Sequence, residues 1–330
     1  DLLEQMQQQL LVLSQNTRTS GFRHVSEMLD TVMQRIRVAR DDHSRVTGVP
    51  SGFDGLDDLT AGFQKSDLVV LAARPSVGKT SLALNVASHA AVENGIPVGV
   101  FSLEMNAEEI IERLLCSAAR VNLKSVKDGW IDDEEFDRLV SCGGVLSTSP
   151  IHIDDSANLP ITDIFTRAIR LKAKEPKLGL IVLDYLQLIT APPTSGYRNE
   201  NRQQEVAGIC RSLKSLAREL DVPLLVLSQL SRASEKRHDD PTPRLSDLRD
   251  SGAIEQDADV VMFLYQAQEP GQQTSHYSAG SGEEETPEEN SMVTLTIAKQ
   301  RNGPRGSVSL YFCKQYTRFE NLAMEEAPPY

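Results

Sequence analysis

Ala73-Arg74-Pro75-Ser76-Val77-Gly78-Lys79-Thr80 decides the fold of this chain. An apolar run, Asp67-Leu68-Val69-Val70-Leu71-Ala72, precedes it, and an apolar helical pattern follows from Ser81 to Ala91. The order is strand, loop, helix, with Gly-Lys-Thr at the loop-to-helix junction. Backbone N–H groups of such a loop, and those at the start of the helix, suit the phosphates of a nucleoside triphosphate. The spacing predicts that Ala73, Arg74, Pro75, Ser76, Val77, Gly78, Lys79, Thr80 and Ser81 cradle ATP or another nucleoside triphosphate. Lys79 would reach the β- and γ-phosphates, and the Thr80 hydroxyl would hold Mg²⁺. The usual pattern opens on Gly, and Ala73 departs from it.

Outward from this loop, strands are predicted at 68–72, 97–102, 151–154, 179–184, 223–228, 259–265, 293–299 and 307–312. Runs such as Leu180-Ile181-Val182-Leu183 and Leu224-Leu225-Val226-Leu227 are aliphatic throughout, as in strands covered on both faces. Helical patterns fall between them at 81–92, 107–120, 133–142, 161–174 and 203–220. This alternation predicts an α/β domain with a mostly parallel sheet, its last two strands pairing as a hairpin. Gly48 to Gly62 reads as a turn-rich lead-in. Val25, Met28, Leu29, Val32, Ile36 and Ala39 lie at helical spacing and predict an amphipathic helix ahead of the domain. It packs either on its own domain or on a neighbouring subunit. Residues 1–15 read as the end of a preceding helix. Thr190 to Arg202 and Gln266 to Ser291 lack an apolar period, and the second reads as a disordered insertion.

Hydrophobic content of 40% and charged content of 25% fit a globular protein. No apolar run approaches the roughly 20 residues that span a bilayer, so no membrane partner is expected. Cys116, Cys142, Cys210 and Cys313 lack metal-ligand spacing and read as reduced thiols in a cytoplasmic protein. The chain does not open on Met, which implies a fragment or a processed chain. The net charge of −13 does not exclude nucleic acid, because Glu269, Glu283, Glu284, Glu285, Glu288 and Glu289 concentrate it in the predicted insertion. A binding channel needs only a local stripe of positive charge.

Hydrolysing a triphosphate also requires a metal site, a group that orients water, and positive charge for the transition state. Asp184 ends the aliphatic strand at 179–184. In a parallel sheet the ligand crevice lies at the carboxyl ends of the strands, so Asp184 is expected to reach Mg²⁺ from a neighbouring strand. Glu104 follows Phe101-Ser102-Leu103 and is the expected activator of water. Gln229 ends the strand at 223–228 and is placed to contact the γ-phosphate. Lys299-Gln300-Arg301-Asn302-Gly303-Pro304 joins the last two strands. Lys299 and Arg301 are either solvated turn charges or residues that reach a neighbour's nucleotide site in a head-to-tail assembly. The segment from Arg244 to Asp259 is either a connecting loop or a loop that presents N–H groups and an Arg to a phosphate backbone.

Together, Thr47-Gly48-Val49-Pro50-Ser51-Gly52-Phe53, the stretch Ala72 to Thr80, Phe101-Ser102-Leu103-Glu104-Met105, Leu183-Asp184-Tyr185-Leu186-Gln187-Leu188, Ser228-Gln229-Leu230-Ser231-Arg232, Leu248 to Asp259 and Lys299 to Pro304 resemble the C-terminal motor domain of DnaB-type replicative DNA helicases. These belong to the RecA-like ATPases. The resemblance covers roughly residues 20–320, and Ala73 matches this family. It implies a RecA-like P-loop core at 47–322, preceded by a helical linker at 1–46 and followed by a tail at 323–330. It implies an ATP hydrolase that forms a homo-hexameric ring, moves 5′ to 3′ on single-stranded DNA and unwinds duplex at the replication fork. Lys79 and Thr80 would bind phosphate and Mg²⁺, with Asp184 at the metal. Glu104 would be the catalytic carboxylate, and Gln229 would couple nucleotide state to DNA. Lys299 and Arg301 would act in trans. Arg249, Asp250 and Gly252 would meet the DNA backbone, although the family more often carries Glu at the position of Asp250. A helicase loader and a primase are further implied partners, the primase through an N-terminal domain mostly missing from this sequence. A RecA-like recombinase and an ATP-switched ring adaptor share the core and stand as alternatives.

Overall fold

A computed structural model describes residues 24–42, 46–189, 202–231, 242–248, 251–266 and 290–322. The chain divides into two compact units, Asp1–Arg45 and Val46–Tyr330. In the first, the expected amphipathic helix is α1, Val25–Asp42. Its apolar residues Val25, Met28, Leu29, Val32, Met33 and Ile36 are all exposed.

The second unit is built on one nine-stranded sheet. Its strands are β1 (Leu68–Ala73), β2 (Val98–Ser102), β3 (Ile151–Asp154), β4 (Leu180–Asp184), β5 (Leu224–Gln229), β6 (Val260–Tyr265), β7 (Asn290–Gln300), β8 (Gly306–Cys313) and β9 (Arg318–Asn321), in the order β3-β2-β4-β5-β1-β6-β7-β8-β9. The first six in that order pair in parallel; β7, β8 and β9 continue antiparallel. The expected mostly parallel α/β architecture is therefore present, and β7 and β8 form the expected hairpin.

The helices are α2 (Asp54–Thr60), α3 (Lys79–Ser88), α4 (Ala107–Ala119), α5 (Leu123–Asp128), α6 (Asp133–Thr148), α7 (Ile161–Lys174), α8 (Arg202–Leu220) and α9 (Ser251–Asp257). Alternate residues of a strand face opposite sides of the sheet, and both sides are covered. Val69 and Leu71 pack with Leu82 and Val86 of α3, Ile110 of α4, and Leu295 and Phe312 from the antiparallel edge. Leu68 and Val70 pack with Ile164 of α7 and with Ile209, Leu213 and Leu216 of α8. This two-sided cover is why the central strands carry no polar alternation.

Several segments differ from the sequence reading. Gly48 to Gly62 is more than a lead-in, because it contains α2. Phe53 and Leu56 are buried there, and the Asp57 carboxylate accepts the Ser51 N–H at 3.0 Å, so tertiary burial overrides the turn-like composition. Helix α6 continues through Gly143 and Gly144 to Thr148. Strand β9, α5 and α9 have no counterpart in the strand and helix patterns. The expected disordered insertion lies outside the described residues except for its ends, and Asn290 and Ser291 already belong to β7. No helix among the described residues is long and apolar enough to cross a membrane.

Candidate functional site

The loop after β1 curls through two residues of positive φ, Ser76 at 67° and Gly78 at 100°. Consecutive N–H groups turned inward by such conformations make an anion-binding concavity. Gly78 is required twice over. Its φ is one that L side chains rarely adopt, and a Cβ there would lie 2.8 Å from both Phe312 and Phe319. Those rings stack at 4.2 Å and close the floor of the loop. Arg74 Nη1 donates to the Leu230 carbonyl at 3.0 Å, and Leu230 N–H donates to the Ala73 carbonyl, tying the start of the turn to the residue after β5.

Lys79 opens α3, and Thr80 follows it. The Thr80 hydroxyl donates to Asp184 Oδ2 at 2.7 Å, and Lys79 Nζ lies 3.6 Å from Asp184 Oδ1. Burial pushes the Lys79 ammonium below the ordinary lysine value, and the Asp184 and Glu104 carboxylates oppose that fall. Lys79 Nζ also lies 4.6 Å over the ring of Tyr185, a cation–π contact. Burial, together with Glu104 and Asp184, raises the Tyr185 phenol.

Asp184 does not reach this site from the adjacent strand. β5 lies between β1 and β4. The contact is made because α3 packs over β1, β5 and β4 together, which carries Thr80 across the intervening strand. The intervening strand supplies Gln229, whose Cα is in register with Ala73. On the other side of β4, Ser102 is in register with Asp184. The buried Ser102 hydroxyl donates to the Met105 carbonyl at 2.7 Å and accepts the Met105 N–H at 3.2 Å. This closes a tight turn with exposed Glu104 at its middle. Asn106 then caps α4 reciprocally with Glu109, so Glu104 is held between a clamp and a cap.

The residues fit a divalent cation. Asp184 Oδ1 is buried without a hydrogen-bond partner among the described residues, next to a hydroxyl already ordered on Oδ2. A hard cation with oxygen ligands is the natural occupant of such a donor set.

Lys299 and Arg301 lie elsewhere. Lys299 is part of β7 rather than of the turn, and a bulge opposite Val261 and Met262 re-aims the strand just before it. Gln300 is in register with Val260, and Val260 with Val69, whereas Ala73 lies level with Leu264. Four strand residues, about 13 Å, separate the two levels. The cations thus sit at the amino end of the parallel strands, and the phosphate loop at the carboxyl end. Lys299 Nζ donates to the carbonyls of Glu255 and Ala258, and Arg301 Nη2 to that of Gln256, so both caps lie at the C-terminal end of α9. Burial and the nearby Arg301 charge lower Lys299. Of the expected DNA-contact residues, Gly252 falls in the first turn of α9, and Arg249 and Asp250 lie outside the described residues.

Sequence reasoning missed Tyr185, Ser102 and the Phe312–Phe319 pair. Ser102 and Tyr185 adjoin residues it singled out. The aromatic pair comes from the far edge of the sheet and left no local signal.

Residues 48–321 match the family model described as the DnaB-like helicase C-terminal domain. The chain is 43% identical over 321 residues to the replicative DNA helicase DnaB of Geobacillus stearothermophilus, and 44% identical over 322 residues to the replicative DNA helicase DnaC of Bacillus subtilis (strain 168). These matches take in 97% and 98% of the chain and 67% of each relative. Among solved structures, one described as an ATPase domain superposes with a TM-score of 0.77 at 38% identity, covering 92% of this chain and all of that one. Another, described as a DnaB-like replicative helicase and its interactions with primase, superposes with a TM-score of 0.74 at 36% identity, covering 98% of this chain and 72% of that one.

Proposed function

The chain belongs to the family of DnaB-like helicase C-terminal domains, the ATP-dependent motor of replicative DNA helicases, and we propose that it hydrolyses ATP at junctions between copies of itself arranged as a hexameric ring on single-stranded DNA. The N–H groups of residues 73–81 and the Lys79 ammonium hold the triphosphate. Thr80 and Asp184 hold Mg²⁺, which when bound neutralises charge on the transferring phosphoryl group and its leaving oxygen. Glu104 accepts the proton of the attacking water. Gln229, level with the start of the phosphate loop, contacts the γ-phosphate and carries its loss to the DNA side. Lys299 and Arg301 of the adjacent copy offset transition-state charge.

One observation carries this reading: the phosphate loop and the Lys299/Arg301 pair lie at opposite ends of the same parallel strands. A single copy offers only half of a hydrolytic site. A head-to-tail arrangement joins the halves and closes into a ring when the rotation permits. Arg249, Asp250 and Gly252 then follow the DNA backbone, with movement 5′ to 3′, and the exposed apolar side of α1 docks on the next copy. A loader and a primase are further partners; the solved relative described with primase supports the second.

The test is unwinding of a forked duplex with ATP, with oligomeric mass measured alongside. Strand separation by a six-copy species is expected. ATP turnover on single strands without separation would favour a ring adaptor, and a monomer with full turnover would contradict the shared site.

A further inference from the structure

We propose that Asp259 is a positioning residue for the trans-acting cations, seating the Arg301 guanidinium for the neighbouring copy's nucleotide without touching it. The inference rests on the reading of Arg301 and Lys299 as trans residues.

Asp259 immediately precedes β6 and is 4% exposed. A buried carboxylate is tolerated only when its oxygens are paired, and here each has a role. Oδ2 accepts the Leu68 N–H at 2.8 Å and the Lys214 ammonium of α8. Oδ1 faces Arg301 Nη1 at 3.5 Å. The backbone repeats the connection: Asp259 N–H donates to the Leu68 carbonyl at 2.9 Å, and Arg301 N–H donates to the Asp259 carbonyl at 3.0 Å. One residue therefore joins the start of β1, the middle of α8 and the turn after β7. Lys214 is itself held by the Ser66 carbonyl at 2.7 Å, with the Asp67 carboxylate 3.9 Å away, so the joint is braced from behind.

The guanidinium is gripped on one side and open on the other. The Asp259 carboxylate pairs with Nη1 and the Gln256 carbonyl accepts from Nη2, while its side chain remains 42% exposed. Lys299 is gripped by the same segment, through the carbonyls of Glu255 and Ala258. A long flexible side chain held this way meets a neighbour's phosphate already oriented, which is the condition for strong transition-state stabilisation. Without Asp259 the same charge remains, at the same place in the sequence, with fewer fixed directions.

The test is Asp259→Asn, which keeps the shape and removes the charge. Three quantities are measured on the whole chain: DNA-stimulated ATP turnover, affinity for fluorescent ADP, and turnover of mixtures with the Lys79→Ala and Arg301→Ala chains. The expected result is a fall of about tenfold or more in kcat with ADP affinity unchanged. Turnover should recover on mixing with Lys79→Ala, whose Asp259 is intact, and should not recover with Arg301→Ala. A merely destabilised chain would not sort into the class of Arg301. Wild-type kcat, weakened ADP binding, or recovery with Arg301→Ala would each overturn the inference. Should Asp259→Asn fail to fold, Lys214→Met removes the brace and carries the same expectation with a smaller fall; wild-type behaviour of that chain overturns the proposal equally. If Arg301→Ala and Lys79→Ala do not complement each other, the trans reading falls and this inference with it. If they do, and Asp259→Asn is fully active, only this inference falls.

Discussion

The Thr80 hydroxyl donates to one oxygen of Asp184, and the other oxygen of the same buried carboxylate has no hydrogen-bond partner among the described residues. That oxygen faces the Lys79 ammonium at 3.6 Å, and a buried acceptor without a hydrogen bond is costly unless something occupies it. Thr80→Ala should therefore raise the Mg²⁺ concentration needed for turnover by about tenfold or more. It should also cost about 1–3 kcal/mol of stability by opening the second oxygen, while Thr80→Ser retains both properties. Magnesium titration of turnover and urea unfolding read the two effects.

Gly78 combines a positive φ with the closest approach to an aromatic pair. Gly78→Ala should cost about 1–2 kcal/mol for the backbone conformation alone, with the clash against Phe312 and Phe319 in addition. Nucleotide affinity should fall with it. The companion change Phe319→Ala should cost about 3–5 kcal/mol as a buried aromatic deletion, and should loosen nucleotide binding although the ring is far from the loop in sequence. Denaturant unfolding and ADP titration measure both.

Ser102 closes the turn that holds Glu104. Ser102→Ala keeps every charge at the site and removes the clamp. It should lower kcat by about tenfold to a hundredfold, the usual effect of misplacing a catalytic group by an ångström, and leave ADP affinity intact. Steady-state turnover set beside ADP titration separates the two.

Asp67 gives the fold a pH signature. Burial and the neighbouring Asp259 charge push its carboxyl up to about 6 from 3.8, and Lys214 and Arg301 oppose the rise. Between these values the folded chain binds more protons than the unfolded one, so stability falls as pH rises from about 4 to about 6. After solvent screening the effect is about 1–2 kcal/mol. Asp67→Asn should lose this slope and be the more stable chain at pH 7.5. Urea unfolding at pH 4.5, 6 and 7.5 checks the sign.

Much of the geometry of the proposed cis half-site was legible in sequence because its parts are local. An aliphatic strand, a Gly-Lys-Thr junction and an apolar helix specify β1, the loop and α3. Strand-terminal Asp184 and Gln229 follow from the same logic, since ligands gather at the carboxyl ends of parallel strands. Strand order was not legible. Nothing in the residues around Asp184 states that β5 intervenes before β1. Helix α2 hid behind Gly and Asp residues because its stability comes from burying Phe53 and Leu56. The Phe312–Phe319 floor and the grip of α9 on Lys299 and Arg301 are contacts between distant segments, and no periodicity within one segment encodes them.

The central claim is that each hydrolytic site takes its phosphate loop from one copy and its Arg301 from the next. Mixing inactive Lys79→Ala and inactive Arg301→Ala chains tests it most directly. In an equal mixture about a quarter of the junctions unite an intact Lys79 with an intact Arg301. The account predicts DNA-stimulated ATP turnover near a quarter of the wild-type rate. Turnover no greater than that of the separate mutants, in an assembly shown by mass to contain both chains, would contradict it.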